Sequence, residues 1–394
     1  MRIVVVHADY LEPGGETVSS AAEAHMLREA GHEVVEFTRS NQDFLDGSSL
    51  RQGVQLFFNV AVMRELEELL KAVRPDVLHC NNTFPSLSPS VYYAAARQDV
   101  ATVQTLRNYR LACPAATFFR DGRPCYECNG RRVAWPGVRH ACYRDSRNAT
   151  AGVAAMNALH DVAGTWRRLD AYIVLSERAR ELLSAVDLPK DRVHVKFNVV
   201  SPEPQVGDGS GGFLLFAGRL TPEKGVLDVL QLAASGPLRV VVVGNGPLAD
   251  QVEAAQRRGE LTWVPQLPHA ELLTLMGQAR AVVAAPVWEE PFGRVVAESL
   301  GSGTPVLVTR VGALPELVVD GESGYHVPPG DPAALTAAAG GLARLDAPAY
   351  AQLRRQARSR YEALFSPASN AARLEEIYGL AIEHRRSVPR RALR

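Results

Sequence analysis

Two carboxylates in a Glu-x7-Glu spacing, Glu290 and Glu298, flank the turn Pro291-Phe292-Gly293. An apolar run at 281–287 leads into that turn and reads as a buried parallel strand. The turn opens an apolar-periodic helix, so Glu290 lies in the loop before the helix and Glu298 about two turns along it. The free N–H groups of a helix start favour an anion such as phosphate. A carboxylate can accept from two neighbouring hydroxyls at once. N–H groups for phosphate beside carboxylates for hydroxyls suit a nucleotide sugar. A second group, Gly218-Arg219-Leu220-Thr221-Pro222-Glu223-Lys224-Gly225, follows an apolar strand and sets two cations on a loop. A departing nucleoside diphosphate needs such charge compensation, from fixed cations or from a metal. Alone, Arg219 and Lys224 read as surface cations on a turn. Beside Glu290 and Glu298 they read as a diphosphate site.

The elements that position these residues follow an alternating pattern. Strands are expected at 3–6, 34–37, 77–80, 100–106 and 171–175, with helices at 18–30 and 56–73. Residues 201–212 are rich in Pro, Gly and Ser and read as an interdomain linker. The pattern then restarts, with strands at 213–217, 239–243, 281–285 and 306–309 and a helix at 226–234. This implies an α/β fold with two doubly wound parallel sheets, whose ligands lie beyond the carboxyl ends of the strands. The expected domains are 1–200 and 213–370, followed by a helix and basic tail at 371–394.

The 394 residues suffice for two cores, and 43 basic residues balance 43 acidic ones. Nothing in that balance points to nucleic acid. No apolar stretch approaches the roughly 20 residues of a membrane span. The start, Met1-Arg2-Ile3-Val4-Val5-Val6-His7, reads as a first strand and not as a signal peptide. A cytoplasmic location is therefore expected. The tail carries Arg385, Arg386, Arg390, Arg391 and Arg394. It reads either as a solvated end or as a peripheral contact with anionic lipid at the inner face of the membrane.

Several further elements fall in the order of a known family. They are Gly-Arg-Leu-x-x-x-Lys-Gly (218–225), Val-Gly-x-Gly-Pro (243–247), Glu-Pro-Phe-Gly (290–293), Gly-x-x-x-Glu-Leu-Val (312–318) and Gly-Glu-x-Gly-Tyr-x-Val-Pro-Pro-Gly-Asp (321–331). The chain resembles the retaining glycosyltransferases of family 4. These have the GT-B fold, in which two Rossmann-like domains face each other across a cleft. The resemblance implies an N-terminal acceptor domain and a C-terminal nucleotide-sugar domain. It implies hexosyl transfer with retention from a nucleotide-diphosphate sugar to a hydroxyl on a glycan, a lipid-linked or a small-molecule acceptor, without a catalytic metal.

Carried over by position, Arg219 and Lys224 should hold the diphosphate, with Gly218 and Asn245 on the nucleotide side. Phe292, Gly293 and Arg294 should present N–H groups to the donor. Glu290 should accept from donor sugar hydroxyls and Glu298 from the ribose. Gly14 and Gly15 should bring backbone close to the phosphates. A double displacement would need a carboxylate beneath the anomeric carbon, and the sequence places none. Relatives often carry a His after the fourth strand, where this chain has Arg107. An Arg cannot act as a base at neutral pH, so Arg107 reads either as a donor or acceptor contact or as a strand-end residue. His79 ends a strand, and Asn81, Asn82 and Thr83 sit on the following loop; all are candidate acceptor contacts, with a hydrogen-bonded structural role as the alternative for His79. Two other functions compete: a GT-B nucleotide-sugar epimerase, and a non-catalytic protein binding a nucleotide sugar or zinc.

Four of the five cysteines lie in one insert at 107–145, spaced Cys113-x11-Cys125-x2-Cys128-x13-Cys142. That pattern fits a tetrahedral structural zinc, with free or redox cysteines and disulfides as alternatives. A subgroup of the resembled family has a similar insert opening Arg-Asn-Tyr-Arg-Leu-x-Cys-Pro (107–114). The insert follows the fourth strand at its carboxyl end. It therefore reads as a wall of the acceptor pocket or as a stabilising surface elaboration. Cys80, at a strand end, reads as a small core residue.

Overall fold

The computed structural model of the protein describes residues 1–9 and 15–388. Two compact units emerge. One comprises Met1–Thr117, Tyr126–Val199 and the chain from Asn370 onward; the other comprises Phe118–Cys125 and Val200–Ser369. Along the chain the strands are β1 (Arg2–Asp9), β2 (Glu33–Ser40), β3 (Val77–Asn82), β4 (Ala101–Leu106), β5 (Phe119–Arg120), β6 (Arg123–Pro124), β7 (Ala171–Val174) and β8 (Val193–Val195). They continue as β9 (Phe213–Ala217), β10 (Arg239–Val243), β11 (Leu261–Val264), β12 (Ala281–Ala284), β13 (Val306–Thr309) and β14 (Gly324–Val327).

The first unit holds a parallel sheet in the order β2-β1-β3-β4-β7-β8, and the second a parallel sheet in the order β11-β10-β9-β12-β13-β14. Each residue of β3, β4 and β7 is buried. Strands buried on both faces need runs such as Ala101-Thr102-Val103 rather than strict alternation. Strand order reverses between β1 and β3 in the first unit and between β9 and β12 in the second. Such switch points are where open α/β sheets bind ligands. The two doubly wound units are those anticipated from the sequence, and β5 with β6 adds a short antiparallel hairpin within the insert.

Three segments differ from expectation for identifiable reasons. The helix expected at 56–73 is two helices, Ser49–Phe57 and Val60–Val73. Asn59 separates them, its side chain accepting from the Val62 N–H at 3.3 Å as an N-cap. The stretch at 201–212 lacks helix and strand, yet it is bound to the second unit rather than free. Gly207, Gly209 and Gly211 donate backbone N–H groups to Ser302, Gly277 and Gln278. A side chain at Gly207 would strike the Gly277 backbone, so glycine lets the two backbones touch.

The C-terminal helix, Pro367–Ser387, contributes Leu374, Ile377, Tyr378 and Ala381 to a core with Ile3, Val5, Val103 and Ile173. Arg385 is buried and pairs with Asp170 at 2.7 Å, so it is not part of a solvated end. Arg390, Arg391 and Arg394 lie outside the described residues. Among the described residues, no helix is long and apolar enough to cross a membrane.

Candidate active site

In the second unit the switch point sets the loop after β9 beside the loop after β12. The first is pinned by backbone. Gly218 donates to the Val243 carbonyl at 3.0 Å, Leu220 to Asn245 at 2.9 Å, and Leu248 returns to Leu220 at 2.9 Å. A side chain on Gly244 would strike the Gly218 carbonyl, which explains the glycine of the β10 turn. Gly225 has φ +72° and lies against the Ala285 carbonyl, again with no room for a Cβ. The Val287 N–H donates to Glu223 at 2.9 Å, which ties the two loops together. Lys224 is thereby carried to the end of β12.

There Lys224 meets Glu290. Its ammonium lies 2.5 Å from Glu290 Oε2. The Trp288 indole N–H donates to the same oxygen at 3.1 Å, and the ammonium sits 5.0 Å from the Trp288 ring centroid. The Glu290 backbone is fixed as well, since the Ala313 N–H donates to its carbonyl at 2.9 Å. Gly312, at φ +59°, has no space for a side chain against the Glu290 backbone. Gly293 adopts φ +90° and opens helix α2 (Arg294–Gly301), which has no side-chain N-cap. Phe292 is buried against Phe365, so only its backbone is available to a ligand.

Glu298 is 4% exposed on α2. Its Oε1 accepts from Arg294 Nε at 2.6 Å and from His269 Nε2 at 2.9 Å. Burial pushes its pKa up, but the His269 hydrogen bond and the Arg294 charge outweigh that and hold the carboxyl below its usual range. The Arg294 side chain therefore orients Glu298 one turn away rather than pointing freely at a donor. Arg219, Gly218 and Asn245 are exposed at the strand ends, and Asn245 Oδ1 accepts from the Gly246 N–H at 2.8 Å. The second unit thus gathers Lys224, Glu290, Arg294 and Glu298 around one helix start. Trp288 and His269 join them and were missed in the sequence. Trp288 could have been noticed, because a loop Trp two residues from a carboxylate has an N–H to place. His269, in the helix His269–Gln278, carries no such local signal.

In the first unit Gly14 lies outside the described residues, and Gly15 opens helix α1 (Gly15–Glu29) at an exposed position. Arg107 is 5% exposed and fully engaged. It donates to Asn81 Oδ1 at 2.6 and 3.1 Å, to Asn198 Oδ1, and to Glu23 Oε1 at 3.4 Å. Glu23 also receives Lys196 at 2.9 Å, and both are 3% exposed. Arg107 is therefore not a surface cation, although it also lines the first unit's cavity. It is a buried clamp joining β3, α1 and the segment after β8.

His79 is completely buried between the Tyr378 hydroxyl and Thr105 Oγ1, each at 2.7 Å. Burial, opposed by Glu23 and reinforced by Arg107, holds its pKa down at about 4. Its structural reading is the one this geometry supports. Asn81 and Asn82 are also buried, donating to Ser20 Oγ and to the Ala8 carbonyl. Beside them Thr83, Phe84, Asn108, Arg110 and Asn157 line a small, partly open cavity of about 70 Å³.

The insert is held by backbone turns and packing. Gly137 donates its N–H to Cys128 Sγ at 3.2 Å, Cys142 donates to the Gly137 carbonyl at 3.1 Å, and Cys113 donates to Tyr109 at 2.8 Å. Cys125 follows the β5–β6 hairpin and donates to the Phe118 carbonyl at 2.7 Å. Among the described residues, no group of three or more His, Cys, Asp or Glu is arranged to hold a metal ion. Cys80 is a core residue whose thiol pKa is pushed up by burial.

Comparison with known proteins agrees with this division. Residues 14–198 match the family described as Glycosyl transferase 4-like domain, and residues 203–360 match Glycosyl transferases group 1. A glycogen synthase of Mycobacterium tuberculosis is 37% identical over 177 residues, 42% of each chain. A protein described only as an uncharacterized 42.6 kDa protein in cps region, from Klebsiella pneumoniae, is 25% identical over 80% of this chain and 87% of its own. The match spans about two fifths of the length of the mycobacterial relative. Among solved structures, HepE of Anabaena in complex with UDP superposes with TM-score 0.65 at 16% identity, covering 96% of this chain and 100% of that one. Sucrose-phosphate synthase of Thermosynechococcus elongatus gives TM-score 0.66 at 18% identity, with 96% and 98% covered. These likenesses show the fold, which is GT-B.

Proposed function

From a GT-B chain that carries a 4-like and a group 1 glycosyltransferase domain, we propose a glycosyltransferase that moves a sugar from a nucleoside-diphosphate sugar to a hydroxyl acceptor. The observation that carries this reading is the Lys224–Glu290 pair at the sheet switch point, beside the uncapped start of α2. Lys224 and the exposed Arg219 supply cations for the diphosphate. Amides of the helix start add partial positive charge. Glu290 offers its free oxygen to sugar hydroxyls, and Glu298, held anionic by Arg294 and His269, offers Oε2 to the ribose. Stabilising the departing diphosphate with fixed charges acts where charge develops in the transition state.

Transfer with retention of configuration, by a hexosyltransferase needing no catalytic metal, completes the reading. Lys224 and Arg219, fixed cations for the departing diphosphate, support the metal-free part of this reading. The HepE complex with UDP makes UDP-sugars the first donors to try. Relatives named for glycogen synthesis and for D-inositol 3-phosphate glycosylation support a hydroxyl-rich sugar or cyclitol acceptor, taken by the first unit. A cytoplasmic location, with the basic tail at a membrane surface, belongs to the same proposal.

The test is release of nucleoside diphosphate that depends on acceptor. Glu290→Ala should lower transfer at least about 100-fold, the loss of a few kcal/mol of transition-state contact. Near wild-type turnover in that variant refutes the assignment. Release without acceptor dependence favours an epimerase that cleaves the sugar–diphosphate bond, and no release at all favours a binding protein. Zinc at Cys113, Cys125, Cys128 and Cys142 is a separate proposal, which requires the sulfurs to gather around an ion. Less than about half an equivalent of zinc in protein purified without chelator ends it.

A further inference from the structure

Glu290 is held twice at one oxygen. Oε2 takes both the Lys224 ammonium at 2.5 Å and the Trp288 indole N–H at 3.1 Å, while Oε1 has no partner among the described residues. The two holders differ in what a donor does to them. An ammonium is a mobile point charge with three donors, and a diphosphate carries more charge than one carboxylate. A bound nucleotide therefore draws Lys224 away from Glu290. The indole N–H is neutral, donates once and sits on a ring with two rotatable bonds, so phosphate has little hold on it.

We propose that Trp288 is a positioning residue: its indole N–H keeps Glu290 aimed at the donor sugar after Lys224 has turned to the diphosphate. This rests on the reading of the site as a nucleotide-sugar site. The Trp288 ring face, 5.0 Å from the ammonium, gives Lys224 a favourable path between its two anionic partners. Without the N–H, Glu290 loses its remaining side-chain restraint when its cation leaves. A carboxylate free to rotate no longer presents Oε1 to a sugar hydroxyl in one geometry, and small misplacements of this kind cost large factors in rate.

Trp288→Phe removes the N–H and keeps the ring. Calorimetry with UDP and with UDP-glucose, backed by other UDP-sugars, reads the effect. For the wild type, the sugar should add affinity over UDP alone. In Trp288→Phe the UDP dissociation constant should stay within about two-fold of wild type. The gain from the sugar should fall about five-fold, and kcat for transfer about ten-fold or more. Trp288→His, which restores an N–H donor, should recover part of both. Equal loss of UDP and UDP-sugar binding would make Trp288 a mere packing residue and overturn the proposal. An unchanged sugar gain, or a wild type in which the sugar adds nothing, would overturn it as well. A wild type that binds UDP-sugars tightly but transfers nothing would end the transferase reading. The affinity ratio would then still decide the role of Trp288.

Discussion

Glu23→Gln should destabilise the first unit by about 3–5 kcal/mol, the range for breaking a buried ion pair from one side. The change is isosteric, so no cavity contributes. What it removes is, among the described residues, the one anion facing Lys196 and Arg107, which are 3% and 5% exposed. Arg107 retains Asn81 and Asn198 as acceptors, whereas Lys196 retains only the Phe197 carbonyl at 3.1 Å. The cost therefore falls chiefly on Lys196. Burial already lowers the Lys196 pKa despite its pairing with Glu23, and losing Glu23 lowers it further. A lysine whose folded pKa lies below its unfolded one destabilises while it must be charged and is relieved as it deprotonates. The penalty in Glu23→Gln must accordingly shrink as pH rises towards the alkaline range. Against a total of about 5–15 kcal/mol, the loss at neutral pH is a large share of stability. Hydrogen exchange at the amides of β1, β3 and β4 reports opening of this unit separately from the second. Glu23→Gln/Lys196→Met, which removes both charges, should recover more than half of the loss. A single-variant cost below about 1 kcal/mol, or a double variant no better than the single, would refute the view that these charges depend on each other.

Acid should weaken the first unit in a defined window. Burial, with Arg107 beside them, holds His7 and His79 near pKa 4 against an ordinary value of 6.5. Both are neutral in the fold and protonate more readily when unfolded, so their contribution is complete above 6.5 and drains away as pH falls towards 4. Each is worth at most about 3 kcal/mol. Glu23 is pushed up by burial but overbalanced by Lys196, His79 and Arg107, giving about 2, and it extends the loss below 4.5. A flat unfolding free energy between pH 6.5 and 4 contradicts this, and His79→Gln should flatten part of the slope. In the second unit, Gly312→Ala places a methyl on the Glu290 backbone at φ +59°. Transfer should drop about ten-fold or more as Glu290 shifts, and wild-type kinetics would show that the loop tolerates the shift.

The two loops at the second unit's switch point were legible because their chemistry is local. Arg219 and Lys224 lie within one eight-residue stretch, and Glu290 and Glu298 flank one turn, so residue type and spacing placed them before any fold was known. What was not legible depends on long-range contact. Lys196 meets Glu23 across 173 residues, and nothing in the α1 pattern marks a glutamate as internal. Arg107 read either as a ligand contact or as a residue at a strand end, because spacing gives its place in the sheet but not the three partners that bury it. His269 reaches Glu298 across 29 residues from a different helix. At 201–212 composition marks the break between the units but not its packing: at Gly207 the missing side chain permits close contact with Gly277.

Lys224 and Arg219 read in the sequence as two cations awaiting a diphosphate, and the structure alters that account. Lys224 is already neutralised by Glu290, so a ligand must compete for it. A nucleotide alone can replace only one side of the pair: its phosphates take Lys224 and leave Glu290 without a counter-charge. A nucleotide sugar replaces both sides, with phosphate for the ammonium and hydroxyl for the carboxylate. In the proposed nucleotide-sugar site, the pair would make binding sensitive to whether a sugar is attached, favouring the donor over the diphosphate product. In the proposed transfer, the freed diphosphate would have nothing to offer Glu290. Lys224 can then return to the carboxylate as the product leaves.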